Sequence, residues 1–184
     1  MRPELIGALH GPLELLPVSS SAHLALLRAE RAHGEDVALH LGSGLAMAPF
    51  EVRGMLERLP LHLAAAAIPA AIGALADPFV ERRLGGPRSL AAGLLVGSAA
   101  LALADSAVPG TRIQVPGTGV VLGLAQACAL WPGVSRTGAV LAAARAIGYE
   151  RPEAAKLARE TAVPVVLGAA AFKALRSPWT ATTA

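Results

Sequence analysis

Two short apolar segments near the start of the chain are separated by a polar turn, and this break constrains the fold most. Residues 5–16 and 22–27 are each too short to cross a bilayer, which takes about 20 apolar residues. Between them lie Pro17 and a run of three serines, with Glu14 before the turn and His23 after it. Because proline ends a helix and serine caps the next one, the pattern predicts a helix, a turn and a second helix.

The composition indicates which solvent surrounds this turn. Of the 184 residues, 54% are hydrophobic and only 16% are charged, and the mean hydropathy is +0.53. Soluble domains carry about a quarter charged residues, so the chain is predicted to be an all-α, polytopic integral membrane protein. The net charge of +3 comes from scattered basic residues. These form no stripe, which argues against a nucleic-acid partner and favours contacts with membrane lipids.

A second proline–serine turn repeats the pattern later in the chain. Residues 129–136 resemble residues 13–20, since in both an apolar segment, a proline and a serine turn lead into a short apolar helix. The other predicted spans and loops are segments 37–50, 59–75, 89–104, 117–130 and 162–175, and loops 28–36, 77–88, 105–116 and 148–159. The pattern predicts one membrane domain, residues 1–184, with repeat-like halves at about 1–76 and 88–175.

The second turn is a candidate anion-binding site. Arg136 stands between the hydroxyl residues Ser135 and Thr137, and Gly133 precedes them, at a predicted helix start. Free N–H groups at a helix start suit a phosphate, and so does a guanidinium. The alternative is that Arg136 extends to the membrane interface, as long cationic side chains near helix ends do.

The first turn carries the groups of acid–base chemistry. Ser20 and His23 are three residues apart, so on a helix they share a face, and the imidazole can deprotonate a hydroxyl or a water. Glu14 can orient His23 or bind a divalent cation. A serine-rich cap beside a buried histidine is the alternative. Taken together, the two turns predict chemistry on the phosphate of a lipid.

Four stretches carry a resemblance to a known family, namely residues 14–23, 39–43, 123–127 and 132–138. In this order, over about residues 5–173, the chain resembles the undecaprenyl-diphosphatase family of the bacitracin-resistance type. The resemblance implies inverted repeats with two re-entrant helix pairs. It also implies a hydrolase of the bacterial inner membrane, facing the outer side, whose substrate is a polyprenyl diphosphate. This enzyme would remove the terminal phosphate of undecaprenyl diphosphate and recycle the lipid carrier for cell-wall (peptidoglycan) synthesis.

The resemblance also implies roles for individual residues. Either Ser20 attacks the terminal phosphorus, or a water activated by His23 does so. Arg136 and Ser135 bind the phosphate, and a Mg²⁺ or Ca²⁺ ion bridges Glu14 and the diphosphate. The remaining residues predicted to bind substrate are Ser19, Gly133 and Thr137.

Three features depart from the pattern of the family. His10 stands where the family has the first glutamate of a Glu-xxx-Glu motif, and Val140 stands where it has a threonine. The family also continues through further membrane helices. A second copy of the chain, in a homodimer, is one way to supply them. The alternative functions are therefore a non-catalytic relative that binds a polyprenyl diphosphate, and a lipid carrier or transporter.

Three further polar residues lie in apolar segments. His40 and His62 are predicted to pack between helices rather than to take part in catalysis. Gln126 can donate either to a phosphate oxygen or to a neighbouring helix, and the sequence leaves both open.

Overall fold

The computed structural model describes residues 3–27, 33–107 and 115–176 of the chain. These ranges hold eight α-helices and no strand, which confirms the all-α prediction. In chain order the helices are α1 (Pro3–Leu15), α2 (Ser20–Leu27), α3 (His33–Glu57), α4 (Leu59–Leu84), α5 (Pro87–Ala107), α6 (Thr118–Cys128), α7 (Arg136–Ala146) and α8 (Arg151–Arg176).

Several helices are longer than the apolar segments predicted. α3 extends to both sides of segment 37–50, α4 takes in most of the predicted loop 77–88, and α8 begins inside the predicted loop 148–159. Glu, Arg and Lys lower the hydropathy of a segment but form helices well, so a charged stretch does not end a helix. Residues 28–32 of the predicted loop 28–36 and residues 108–114 of the predicted loop 105–116 lie outside the described residues.

Two helices carry an apolar face of the kind that lipid covers. Leu59–Ala76 in α4 and Pro87–Ser106 in α5 are long enough to cross a bilayer, and only 17% and 6% of these segments are buried in the protein. Large apolar side chains on them, including Leu63, Leu95 and Leu103, are mostly exposed. Two long helices with so many exposed apolar side chains are unfavourable in water and suit the interior of a membrane. The chain is therefore an all-α membrane protein.

The core lies where α4, α6, α7 and α8 meet. Leu122 on α6, Val140 on α7 and Leu157 on α8 are fully buried and belong to one cluster. Helices α4 and α6 approach closely, because a Cβ atom on Gly119 would lie 2.6 Å from the carbonyl oxygen of Leu61. Small residues at such a crossing allow close packing of helices.

The fold contains two short helix pairs, and each is built around one of the polar turns. The first pair is α1 and α2, and the second is α6 and α7. The sequence predicts a membrane span at 117–130. In the structure α6 has only eleven residues and forms a short helix pair with α7 instead. The division into halves and their inverted relation stay predictions.

Candidate active site

The first turn reverses the chain between α1 and α2. Pro17 has no N–H with which to continue α1. Ser19 then takes a φ of 60°, which is uncommon for a residue other than glycine. Its carbonyl oxygen accepts the backbone N–H of His23 at 3.3 Å, which starts α2. The reversal brings Ser20, the first residue of α2, back alongside Glu14 of α1.

The second turn joins α6 to α7 and lies against α5. Gly133 has a φ of 100°, and a Cβ atom there would be 2.2 Å from the carbonyl oxygen of Leu90 on α5. Only glycine fits this position, because both the backbone conformation and the close approach exclude a side chain. Ser135 caps α7, since its hydroxyl oxygen accepts the backbone N–H of Gly138 at 3.2 Å.

Glu14 joins the two turns. One of its carboxylate oxygens accepts the hydroxyl of Ser20 at 2.5 Å, and the other accepts the guanidinium of Arg136. Its backbone carbonyl oxygen accepts the hydroxyl of Thr137 at 2.9 Å. The Glu14 side chain is buried, so these bonds are formed away from bulk water. The structure thus brings a hydroxyl, a carboxylate and a guanidinium from opposite ends of the chain into contact.

His23 lies beside this group but does not bond to Ser20. Its Nδ1 atom is 2.9 Å from the carbonyl oxygen of Ser19. Because a carbonyl oxygen only accepts, Nδ1 carries the proton, and the neutral ring keeps its lone pair on Nε2. Nε2 is therefore the atom that can take a proton from a water. The spacing of Ser20 and His23 suggests proton transfer between them. In the structure the Ser20 hydroxyl donates to Glu14 instead.

A cavity of about 180 Å³ lies between the two turns and α5. The hydroxyl-bearing residues Ser19, Ser98 and Ser135 line it, together with Gly133 and Gly138. Hydroxyls and glycine backbone offer donors without charge, which suits a phosphate whose charge is neutralised by a nearby guanidinium. Of these lining residues, Ser98 on α5 is the one that the sequence did not single out.

The Arg136 side chain is directed to Glu14. Only 16% of its side chain is exposed, and one terminal nitrogen donates to Glu14. Its Nε atom is buried and has no hydrogen-bond partner among the described residues. A buried donor of this kind is costly unless it is satisfied, so an oxygen of an anionic ligand would stabilise it. The alternative in which Arg136 extends to the membrane interface stays a prediction.

Comparison with known proteins identifies the family. The sequence model of the family described as bacitracin resistance protein BacA matches residues 4–184. The chain belongs to the BacA family. An undecaprenyl-diphosphatase of Alcanivorax borkumensis is 35% identical over 197 residues, which cover 92% of this chain and 74% of that protein. One of Geobacter metallireducens is 36% identical over 197 residues, covering 92% of this chain and 73% of that protein.

Three other residues of this BacA-family chain, Gln126, Val140 and His62, pack between helices. Gln126 donates from Nε2 to the carbonyl oxygen of Ala65 at 3.0 Å, so it joins α6 to α4. Val140 is fully buried in the core cluster, where an apolar side chain packs well. His62 is buried, and its Nε2 atom lies 3.2 Å from a carboxylate oxygen of Glu160. None of these contacts points into the cavity between the turns.

The potential metal ligands beside Glu14 differ from those that Mg²⁺ or Ca²⁺ would use. The Nε2 atom of His10 is 3.8 Å from Glu14, and the rings of His10 and His40 are 4.9 Å apart. Ligand atoms of His10, Glu14 and His40 all lie within 4.8 Å of one another. Mg²⁺ and Ca²⁺ bind mainly to oxygen, whereas this set holds two imidazoles and one carboxylate. The set does not fit the ions that the sequence resemblance implies.

Proposed function

We propose that the protein is an undecaprenyl-diphosphate phosphatase of the bacterial inner membrane. It removes the terminal phosphate of the lipid and so recycles the carrier for cell-wall synthesis, with its site facing the outer side. The observation that carries the proposal is the buried carboxylate of Glu14, bonded to Ser20 of one turn and to Arg136 of the other. The relatives that cover most of this chain bear the name undecaprenyl-diphosphatase, which agrees with the proposal.

The first step of the proposed reaction uses the bond between Ser20 and Glu14. The Ser20 oxygen attacks the terminal phosphorus and its proton passes to Glu14, whose carboxylate already accepts that hydroxyl. A bond from the serine oxygen to phosphorus forms, the bridging oxygen–phosphorus bond breaks, and the lipid monophosphate leaves. Arg136 donates to the phosphoryl oxygens, on which charge develops.

The second step uses His23. Its Nε2 atom takes a proton from a water, which attacks the phosphorus bound to Ser20. The serine oxygen leaves with the proton held by Glu14, and inorganic phosphate is released. This order is supported over direct attack by water because the Ser20 hydroxyl donates to Glu14 and not to His23.

A divalent cation held by Glu14 is part of the proposal. The ion would neutralise charge on the diphosphate. Membrane phospholipids surround the exposed faces of α4 and α5. A homodimer stays a prediction, because the structure describes a single chain.

Phosphate release from a polyprenyl diphosphate by the purified protein in detergent tests the proposal. We expect Ser20→Ala to abolish release, and Arg136→Lys to lower it by on the order of 10², because a lysine keeps the charge but loses the planar fork. The matched control is Ser106→Ala, since Ser106 is an exposed serine of α5 whose hydroxyl donates to its own helix. This variant should release phosphate at the wild-type rate.

The His23→Ala variant separates the two possible nucleophiles. If Ser20 attacks first, this variant should accumulate phosphoserine at position 20, which mass spectrometry detects after a single turnover. Absence of phosphoserine, together with undiminished release by Ser20→Ala, would assign the attack to water. Folded protein that binds the lipid and releases no phosphate would contradict the phosphatase function itself.

A further inference from the structure

We propose that the cation of this site is a first-row transition ion of the Zn²⁺ type, bound by His10, Glu14 and His40, rather than Mg²⁺ or Ca²⁺. The proposal deepens the function proposed above and rests on it only for the use of the ion. Binding of the ion can be measured without turnover, so the two proposals can fail separately.

The three ligands come together through packing of α1 against α3. His10 and Glu14 are four residues apart on α1 and therefore share one face of that helix. His40 comes from α3, and its ring meets the ring of His10 edge to face, at an angle of 70°. His10 and Glu14 are buried and His40 is half-buried, so the group lies at the edge of the protein interior.

The three ligand atoms lie within 4.8 Å of one another, and the separation between His10 and Glu14 is close to the distance across a metal ion. Zinc binds imidazole nitrogen and carboxylate oxygen at about 2.0–2.2 Å, which places two ligand atoms about 3.4 Å apart at a tetrahedral angle. The separation of 3.8 Å between His10 and Glu14 is a few tenths of an ångström wider. It is too long for a hydrogen bond, and a small rotation of either side chain closes it to the distance across an ion.

The surroundings of the ligands hold them in position for an ion. The Nδ1 atom of His10 is 2.8 Å from the buried hydroxyl of Ser43, which can accept its proton and so leave Nε2 to face Glu14. Ser20 and Arg136 donate to the carboxylate of Glu14. Metal sites in proteins commonly show both features, a second hydrogen bond on the histidine and hydrogen bonds to the carboxylate.

The chemistry of the ligands determines which ion they prefer. Imidazole nitrogen suits zinc and other late first-row ions, whereas carboxylate and water suit Mg²⁺ and Ca²⁺. Two histidines and one glutamate also form one of the ligand sets found in catalytic zinc sites. His10 and His40 supply the two imidazoles that distinguish this set from an all-oxygen site.

Titration of the purified, tag-free and metal-stripped protein with Co²⁺ tests the proposal, because the visible absorption of Co²⁺ reports nitrogen ligands. We expect a band that saturates at one ion per chain, and that Zn²⁺ displaces while an excess of Mg²⁺ does not. His10→Glu and His40→Gln should each weaken Co²⁺ binding at least about tenfold. His10→Glu should also strengthen the binding of Mg²⁺, since it restores a second carboxylate.

The control is His23→Gln, which removes a histidine of α2 that is not among the three ligands. It should keep the Co²⁺ band while losing phosphate release. If the folded wild-type protein shows no band, or if both ligand variants bind Co²⁺ as tightly as wild type, the ion assignment is wrong. A protein that shows the band but never releases phosphate would contradict the proposed function and leave the metal site intact.

Discussion

At the scale of single residues, Thr137 joins two distant parts of the chain. The sequence predicts it as a residue that binds substrate, and the structure shows its buried hydroxyl donating to the backbone carbonyl oxygen of Glu14 at 2.9 Å. This bond ties the first turn of α7 to the end of α1. It therefore helps to set the separation between Arg136 and Ser20, whatever contact the hydroxyl makes with a ligand.

Replacement of Thr137 by valine tests the effect of its hydrogen bond separately from the effect of its side-chain volume. Thr137→Val keeps the volume of the side chain and removes the donor, so we expect the free energy of unfolding to fall by about 1 kcal/mol. Phosphate release should fall as well, because the two turns are no longer tied. Thermal unfolding in detergent measures the first effect. Thr137→Ser keeps the hydroxyl and should behave like wild type, whereas equal stability of the valine and serine variants would contradict the role.

Part of the site could be predicted because charge and hydroxyls are costly in lipid. Glu14, Ser20 and Arg136 stand out in apolar surroundings, and the structure places them in contact. The sequence also contained the reason for the two turns, since Pro17 and Pro132 each interrupt an apolar segment ahead of a serine.

Other contacts could not be predicted because they depend on packing between helices. The approach of His40 to His10 follows from the position of α3 against α1, which no local pattern specifies. Ser98 is a single serine on an apolar helix and faces the cavity only because α5 lies beside both turns. The spacing of Ser20 and His23 suggested a pair, but the turn directs the serine hydroxyl to the carboxylate instead.

At the scale of helices and turns, α5 is the surface on which the second turn rests. Gly93 and Gly97 on α5 have the spacing typical of close helix–helix packing, yet here both face the turn. A Cβ atom on Gly93 would lie 2.4 Å from the carbonyl oxygen of Pro132. Trp131 adds a hydrogen bond from its ring nitrogen to the hydroxyl of Ser89 at 2.8 Å. The position of the second turn therefore depends on the surface of α5.

Two glycines allow this dependence to be measured. Gly133 and Gly117 both have positive φ, at 100° and 83°, so alanine at either costs about 1–2 kcal/mol in backbone strain. Only Gly133 also contacts α5, whereas a Cβ atom on Gly117 meets nothing within 4 Å. We expect Gly117→Ala to be less stable but active, and Gly133→Ala to lose phosphate release as well. Equal activity of the two variants would show that the contact with α5 does not position the turn.

At the scale of the whole molecule, the exposed apolar faces determine which part of the protein lies in lipid. Leu95, near the middle of the apolar segment of α5, is 73% exposed, while Gly86 lies just before the helix and is exposed as well. If lipid covers α5, Leu95 is shielded from water and Gly86 is not.

Cysteine labelling distinguishes the two positions. In a Cys128→Ala background, which removes the one native cysteine, a membrane-impermeant maleimide should label Gly86→Cys in opened membrane vesicles and leave Leu95→Cys unlabelled. Both variants should react after denaturation in sodium dodecyl sulfate. Rapid labelling of Leu95→Cys in the vesicles would contradict the position of α5 in the bilayer.

The ion pair between Glu14 and Arg136 also bears on how a ligand arrives and departs. The carboxylate is a tethered anion, held at the guanidinium at an effective concentration that the fold sets. A diphosphate has the charge to compete with it, whereas inorganic phosphate carries less charge and is more easily replaced when the carboxylate returns. The Glu14 carboxylate thus competes with the phosphate product for Arg136. We expect this competition to weaken product inhibition and speed turnover.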